Sequence, residues 1–245
     1  MRRVRGDQHV LITLFSGGLL LAPHLGSIAP GEAAVLLFGL FVGSLAPDAD
    51  ATDAAIFHTQ IRSLSGTSRR IVNGAAKVLP LFGYLIRYGE YYPAAGLCWL
   101  LSGGRLRAGH RGILHSLLGI LLITVLSGVY LIVVLFLIGR TPDRLLACAL
   151  AGFAVGAFLH LAEDSCTPAG IAWFYPVSRW RMRGRLRAGG RGDVRPRLFA
   201  TALGCSMWGC LLLQHRLGAP TETMVHLSVF LFCLLWTFFY FATRS

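Results

Sequence analysis

The chain has 245 residues, 55% hydrophobic and only 14% charged, with a mean hydropathy of +0.62. Soluble domains carry about a quarter charged residues, so composition excludes an ordinary soluble protein and indicates an integral membrane one. Its formal charge of +12 comes from 22 arginines and one lysine, but no aromatic-interleaved basic motif accompanies it and no nucleic-acid partner is expected.

Crossing about 30 Å of hydrocarbon takes about 20 apolar helical residues. The apolar runs predict an all-α integral membrane protein with about six transmembrane helices, at 8–22, 31–47, 113–138, 145–163, 198–217 and 222–242. The first opens on His9 and ends at Pro23-His24 without a small-x-small pattern, so no cleavable signal peptide is expected. It and the second are short, and Gly17, Gly18, Gly39 and Gly43 permit close helix packing. The second runs into LAPDAD, where Pro47 breaks the helix and Asp48 and Asp50 follow.

Residues 53–109 form an insert too long for a plain loop. Its apolar residues are broken by Arg62, Arg69, Arg70, Lys77, Arg87 and Glu90. That pattern predicts amphipathic helices on the cytoplasmic face, with KVLPLFGYLIRYGEYYPAAGLCWLL as a possible re-entrant element. HRGILHS then introduces the third run with His110, Arg111 and His115, and the fourth closes on His160 and Asp164. An arginine-rich cytoplasmic loop, 177–197, precedes the last two runs. No internal repeat appears, so 1–245 reads as one membrane domain. The six cysteines form no CxxC pair and read as small buried hydrophobes, Cys166 included.

Arginine placement sets the orientation. With a cytoplasmic N-terminus, the inside segments hold 20 basic residues; the outside loops hold only Arg140, Arg144 and Arg216. That bias places both termini in the cytoplasm. On this path His9, Asp48, Asp50, His110, His115, His160 and Asp164 all fall at one membrane face. His160 and Asp164, four apart, share a helix face. Asp48 and Asp164 sit near helix C-termini, where the macrodipole disfavours a carboxylate unless a cation lies between them. The donor set suits zinc, or manganese if carboxylates dominate. Seven candidates exceed the three or four ligands of one zinc, so one or two divalent ions are expected, with some residues serving as partners or bases. Two ions would clamp a phosphoryl group.

Together these motifs resemble the YdjM-type family of LexA-regulated, membrane-bound metal-dependent hydrolases. The matching pattern is His9; Pro47, Asp48 and Asp50; HRGILHS; and HLAEDSCTPAGIAWFYP with Thr167, Pro168, Gly170 and Pro176 in step, covering about 9–176. Many members carry His-Pro after the PDxD acids, where this chain has Ala51 and Thr52, and the insert before His110 is longer. The resemblance implies a bacterial or archaeal cytoplasmic-membrane hydrolase with ligands among those His and Asp residues. A distant similarity of the family to zinc phospholipase C and P1-type nucleases implies phosphoester chemistry.

The expected reaction is hydrolysis of a phospholipid or lipid-linked phosphate at the cytoplasmic leaflet. Asp50 would orient or deprotonate the attacking water, and Arg111 would stabilise charge on the phosphoryl oxygens. Membrane lipids, anionic ones included, are the expected partners, attracted by the arginine-rich loop. A non-catalytic metal-binding protein or an ion transporter is the alternative. An intramembrane protease is disfavoured, because neither HExxH nor a paired GxGD signature is present.

Overall fold

Each of the six apolar runs folds as a helix. The structure, a computed structural model, describes residues 6–51, 54–57, 74, 77–104, 112–186 and 193–244. Helix α1 is Gly6–Leu21 and α2 is Pro30–Gly43. The insert contributes α3 (Leu79–Tyr84), a π-helical stretch (Leu85–Tyr91) and α4 (Tyr92–Leu101). Then come α5 (Leu117–Leu137), α6 (Arg144–Asp164), α7 (Arg195–Leu217) and α8 (Thr221–Ala242). Among the described residues there is no strand, only an isolated antiparallel bridge between Ile171 and Met182.

Among the described residues four helices, α5 to α8, are long and apolar enough to cross a membrane. The first two, with 16 and 14 residues, reach about 24 and 21 Å at 1.5 Å per residue, short of the hydrocarbon thickness. The second was expected to run to 47 but stops at Gly43. Pro47 has no N–H for a continuing α-helix, and the chain tightens into a 3-10 turn over Ala46–Asp50.

Helices α2 and α6 touch backbone to backbone. GLFVG (39–43) on α2 and GFAVG (152–156) on α6 each place two glycines four apart, on one face. A Cβ at Gly39 would strike the carbonyl of Ala149, at Gly43 that of Phe153, at Gly152 that of Leu36, and at Gly156 that of Leu40. Small residues at this spacing let helices approach where lipid gives no hydrophobic drive for association. At the far end of the pair, Arg144 Nε lies 3.2 Å from Glu32 Oε1.

Helix α1 packs against α2, α6, α7 and α8. From Gln8 to Leu21 none of its residues is exposed, and Val10, Ile12 and Leu19 are buried together with the polar His9, Thr13 and Ser16. Gly18 faces Met207 of α7, and Trp236 of α8 donates Nε1–H to Ser16 Oγ at 3.1 Å. By contrast α5 exposes Leu121, Val125, Val129, Ile132, Phe136 and Leu137, a surface suited to lipid.

Arg62, Arg69 and Arg70 of the insert lie outside the described residues. In its described part Leu79, Gly83, Ile86, Glu90 and Tyr91 are buried, while the outer side shows Lys77, Leu81, Leu85 and the neighbouring rings of Tyr84, Tyr88 and Tyr92.

Gly156→Ala is expected to lower stability by about 1–3 kcal/mol through overpacking, despite the better helix propensity of alanine. Thermal unfolding in detergent measures it; an unchanged or raised melting temperature would show that the two backbones do not meet at this glycine.

Candidate metal centre

The alternating helices α1, α2, α5 and α6 bring one end of each to a common point. His9 lies one turn into α1. Asp48 and Asp50 sit on the 3-10 turn after α2. His115 ends the 3-10 turn Ile113–His115 that leads into α5, and His160 and Asp164 close α6. His9, His115, His160 and Asp164 are at most 2% exposed; Asp48, at 24% for its side chain, is where the cluster meets the surface.

Donor atoms converge rather than merely neighbour one another. Asp48 Oδ1 lies 3.6 Å from His115 Nε2 and 3.8 Å from His160 Nε2. Asp164 Oδ2 lies 3.8 Å from His115 Nε2 and 3.9 Å from His160 Nε2, and its Oδ1 lies 3.9 Å from His9 Nε2. These are too long for hydrogen bonds. Donors about 2.0–2.2 Å from one tetrahedral ion stand roughly 3.3–3.6 Å apart, close to what is seen. Two overlapping triads could hold an ion: His9, Asp48 and His160; and His115, His160 and Asp164.

The outward nitrogens are tied down. His160 Nδ1–H donates to the Ser44 carbonyl at 2.7 Å, and His9 Nδ1–H donates to Glu163 Oε2 at 3.0 Å. Both bonds fix the tautomer so that each Nε2 lone pair faces the centre, an arrangement that recurs behind metal-bound histidines. The two rings stack at 4.1 Å. His160 Nε2 makes no hydrogen bond, an orphaned buried acceptor that a cation would satisfy. Asp50 stands on the other side of His115, with Oδ2 3.8 Å from Nδ1. Burial acts to raise the Asp48 carboxyl, but the His160 and His115 imidazoles outweigh it and hold the group below the usual carboxylate range.

Local sequence explains the scaffold. Ser116 caps α5: its Oγ accepts from Gly119 N at 3.1 Å and donates to the Ile113 carbonyl at 2.7 Å. A side chain at 119 would strike that same carbonyl. Below α6, Thr167 Oγ1 donates to the Asp164 carbonyl at 2.7 Å. Gly170, with φ +62, turns the chain back against Met182. Residues 182–186 then pair with the turn, Gly184 N reaching the Thr167 carbonyl and Leu186 N the Cys166 carbonyl. Burial pushes the Cys166 thiol up to about 11, in keeping with an inert side chain.

Of the seven residues singled out as metal ligands, the structure gathers His9, Asp48, His115, His160 and Asp164 around one point, with Asp50 behind His115. His110 and Arg111 lie outside the described residues. Glu163 and Arg87 were not anticipated. Glu163 follows His160 by three positions in HLAED, a spacing that could have flagged it. Arg87 donates Nη2–H to the Asp50 carbonyl at 3.4 Å and lies 5.3 Å over the Phe57 ring; only tertiary packing brings it there.

This constellation can be set beside known proteins. A family model described as YdjM inner membrane protein matches residues 5–245. The chain belongs to this family. As a YdjM-family membrane protein it is similar to the inner membrane protein YdjM of Escherichia coli (strain K12) and to that of Shigella flexneri. Each is 33% identical over 97 residues, which are 39% of this chain and 44% of the relative. The match thus spans less than half the length of those two proteins. No solved structure matches the chain.

Glu163→Ala is expected to weaken divalent-metal binding about 10–100-fold by freeing the His9 ring, read by zinc titration against a competing chelator. Unchanged affinity would remove His9 from the centre. Ser116→Ala should cost about 1 kcal/mol of stability through the lost cap, measured by thermal unfolding.

Proposed function

We propose that this protein is a membrane-embedded, metal-dependent phosphoester hydrolase acting on a phospholipid or lipid-linked phosphate at the cytoplasmic leaflet of the inner membrane. The observation that carries the reading is the meeting of three imidazoles and two carboxylates from four chain segments, at least 98% enclosed except for Asp48, with histidine lone pairs aimed inward. Such a group is costly to bury without a cation.

His9, His115, His160, Asp48 and Asp164 would hold the metal. The mixed nitrogen and oxygen donors favour zinc, with manganese the next choice, and sharing of His160 between two triads leaves room for one ion or two. A bound divalent ion supplies Lewis acidity toward a phosphoryl oxygen and acidifies water. The chain does the rest. Glu163 and the Ser44 carbonyl hold the rings of His9 and His160, and Asp50 steadies His115 or takes up a proton near its Nδ1. Asp48 is the partly exposed member through which substrate arrives. Arg111, in the HRG segment, supplies positive charge for phosphoryl oxygens, and Arg87 steadies the Asp50 turn through its carbonyl.

A lipid substrate is supported by position. The centre lies at one end of α5 and α6, both long and apolar enough to cross a membrane, and the arginine-rich segment that follows α6 starts from that same end, the side the arginine bias assigns to the cytoplasm. The segment pinned to the turn after Asp164 lines a separate cleft of about 470 Å³, with Trp180, Arg181, Arg183, Arg185 and Arg244 in its walls. Anionic headgroups gain about 1 kcal/mol per basic residue near such a surface.

The test is metal analysis of purified protein with a screen of phospholipid and polyprenyl-phosphate hydrolysis, repeated on His160→Ala/Asp164→Ala. Stoichiometric metal and hydrolysis in the parent, both lost in the variant, are expected. Metal retained without turnover on any phosphoester would point instead to a metal-binding membrane protein without catalysis. Charge reversal at Arg183 and Arg185 should raise KM for an anionic lipid several-fold and leave kcat nearly unchanged, measured in mixed micelles of varied lipid charge.

A further inference from the structure

The insert carries an acid that the proposed hydrolase does not use. Glu90 has no exposed surface and lies in the π-helical stretch Leu85–Tyr91. Ser127 of α5 donates Oγ–H to Glu90 Oε1 at 2.7 Å, and the Tyr130 hydroxyl donates to the Gly89 carbonyl at 2.5 Å. The second carboxyl oxygen, Oε2, is buried without a hydrogen-bond partner.

Depth follows from α5. That helix has 21 residues and Ser127 is its eleventh, about 15 Å along the axis from Leu117. The metal centre stands at the Leu117 end. Glu90 is therefore level with the middle of a helix of membrane-spanning length. The opposite side of its own helix presents Leu85 and the tyrosines 84, 88 and 92 outward, a face that lipid chains can cover. A π turn widens a helix by one residue and recurs at functional sites; here it carries Gly89 close under the Tyr130 ring, within 3.5 Å of where a Cβ would stand.

Charge is the deciding feature. Arg87, three residues earlier, is committed to the Asp50 carbonyl and the Phe57 ring. From α5 Glu90 meets a serine hydroxyl, and among the described residues no basic side chain forms an ion pair with it. An ionised carboxylate without a counter-charge is strongly disfavoured in such surroundings, whereas the neutral acid is tolerated. Ionisable groups at this depth are functional by default.

We propose that Glu90 is a proton-binding site in the bilayer: a neutral carboxylic acid that the insert holds at mid-depth, apart from the metal centre, closed to water and separated from lipid only by the width of its own helix. Its ligand is a proton. Its covalent signature is addition of the acid O–H across a C=N bond of a hydrophobic carbodiimide, oxygen to carbon and hydrogen to nitrogen. Acyl migration to nitrogen then gives a stable N-acylurea, with no leaving group and no redox partner.

The test treats the full chain, in vesicles of phosphatidylethanolamine and phosphatidylglycerol, with dicyclohexylcarbodiimide and maps adducts by peptide mass spectrometry. An adduct on Glu90 is expected, at least tenfold more than with a water-soluble carbodiimide and glycine ester. Glu90→Gln, a neutral isostere, should lose the adduct and keep the parent's melting temperature and metal content. No adduct at position 90, equal modification by both reagents, or a Glu90→Gln chain that fails to fold or melts well below the parent would overturn the proposal. None of these readouts depends on hydrolysis, so failure of the proposed enzymatic activity leaves the result interpretable.

Discussion

The contact of α2 with α6 through facing glycines is the constraint on which the rest of the structure depends. Lipid offers no hydrophobic gain for bringing two apolar helices together, so association rests on close packing. Four glycines without side chains at the seam let the carbonyls of one helix lie on the backbone of the other. That approach delivers the Ser44 carbonyl, just past the end of α2, to the Nδ1–H of His160. With His160 held there, its Nε2 faces both Asp48 Oδ1, at 3.8 Å, and Asp164 Oδ2, at 3.9 Å. The site's first two members are thus placed by backbone contact rather than by affinity for each other.

The remaining members enter where helices stop. A continuous helix in a membrane satisfies its own backbone and leaves little freedom to aim a side chain. At helix ends the chain can turn, provided the released polar groups find partners. The 3-10 turns at Ala46–Asp50 and Ile113–His115, the Ser116 cap and the Thr167 bond to the Asp164 carbonyl meet that condition. His9 joins from the enclosed α1, steadied by Glu163 across the interface. A cation at this point would also answer the negative ends of α2 and α6.

The insert ties two levels of the molecule together. Arg87 reaches the carbonyl of Asp50 at the metal centre, and Glu90, three residues on, bonds Ser127 half-way along α5. One short helix thus presents a cation to the polar end and an acid to the apolar middle, and its outer tyrosines remain for lipid. Hydropathy places such a segment badly, because averaging over a window mixes these surfaces.

The sequence by itself determined the helical class and the approximate positions of the apolar runs, and it put His160 and Asp164 on one helix face, since length, hydropathy and i, i+4 spacing are local properties. The GxxxG seam was half legible: Gly39 and Gly43 were read as packing residues, but their counterparts Gly152 and Gly156 are recognisable only once the partner helix is known. Tertiary structure alone decided that Asp50 stands behind His115, that Glu163 and Arg87 belong to the neighbourhood, and that Glu90 lies at the level of Ser127. Those facts depend on which elements meet across long separations in the chain, and periodicity along one helix carries no information about the helix it faces.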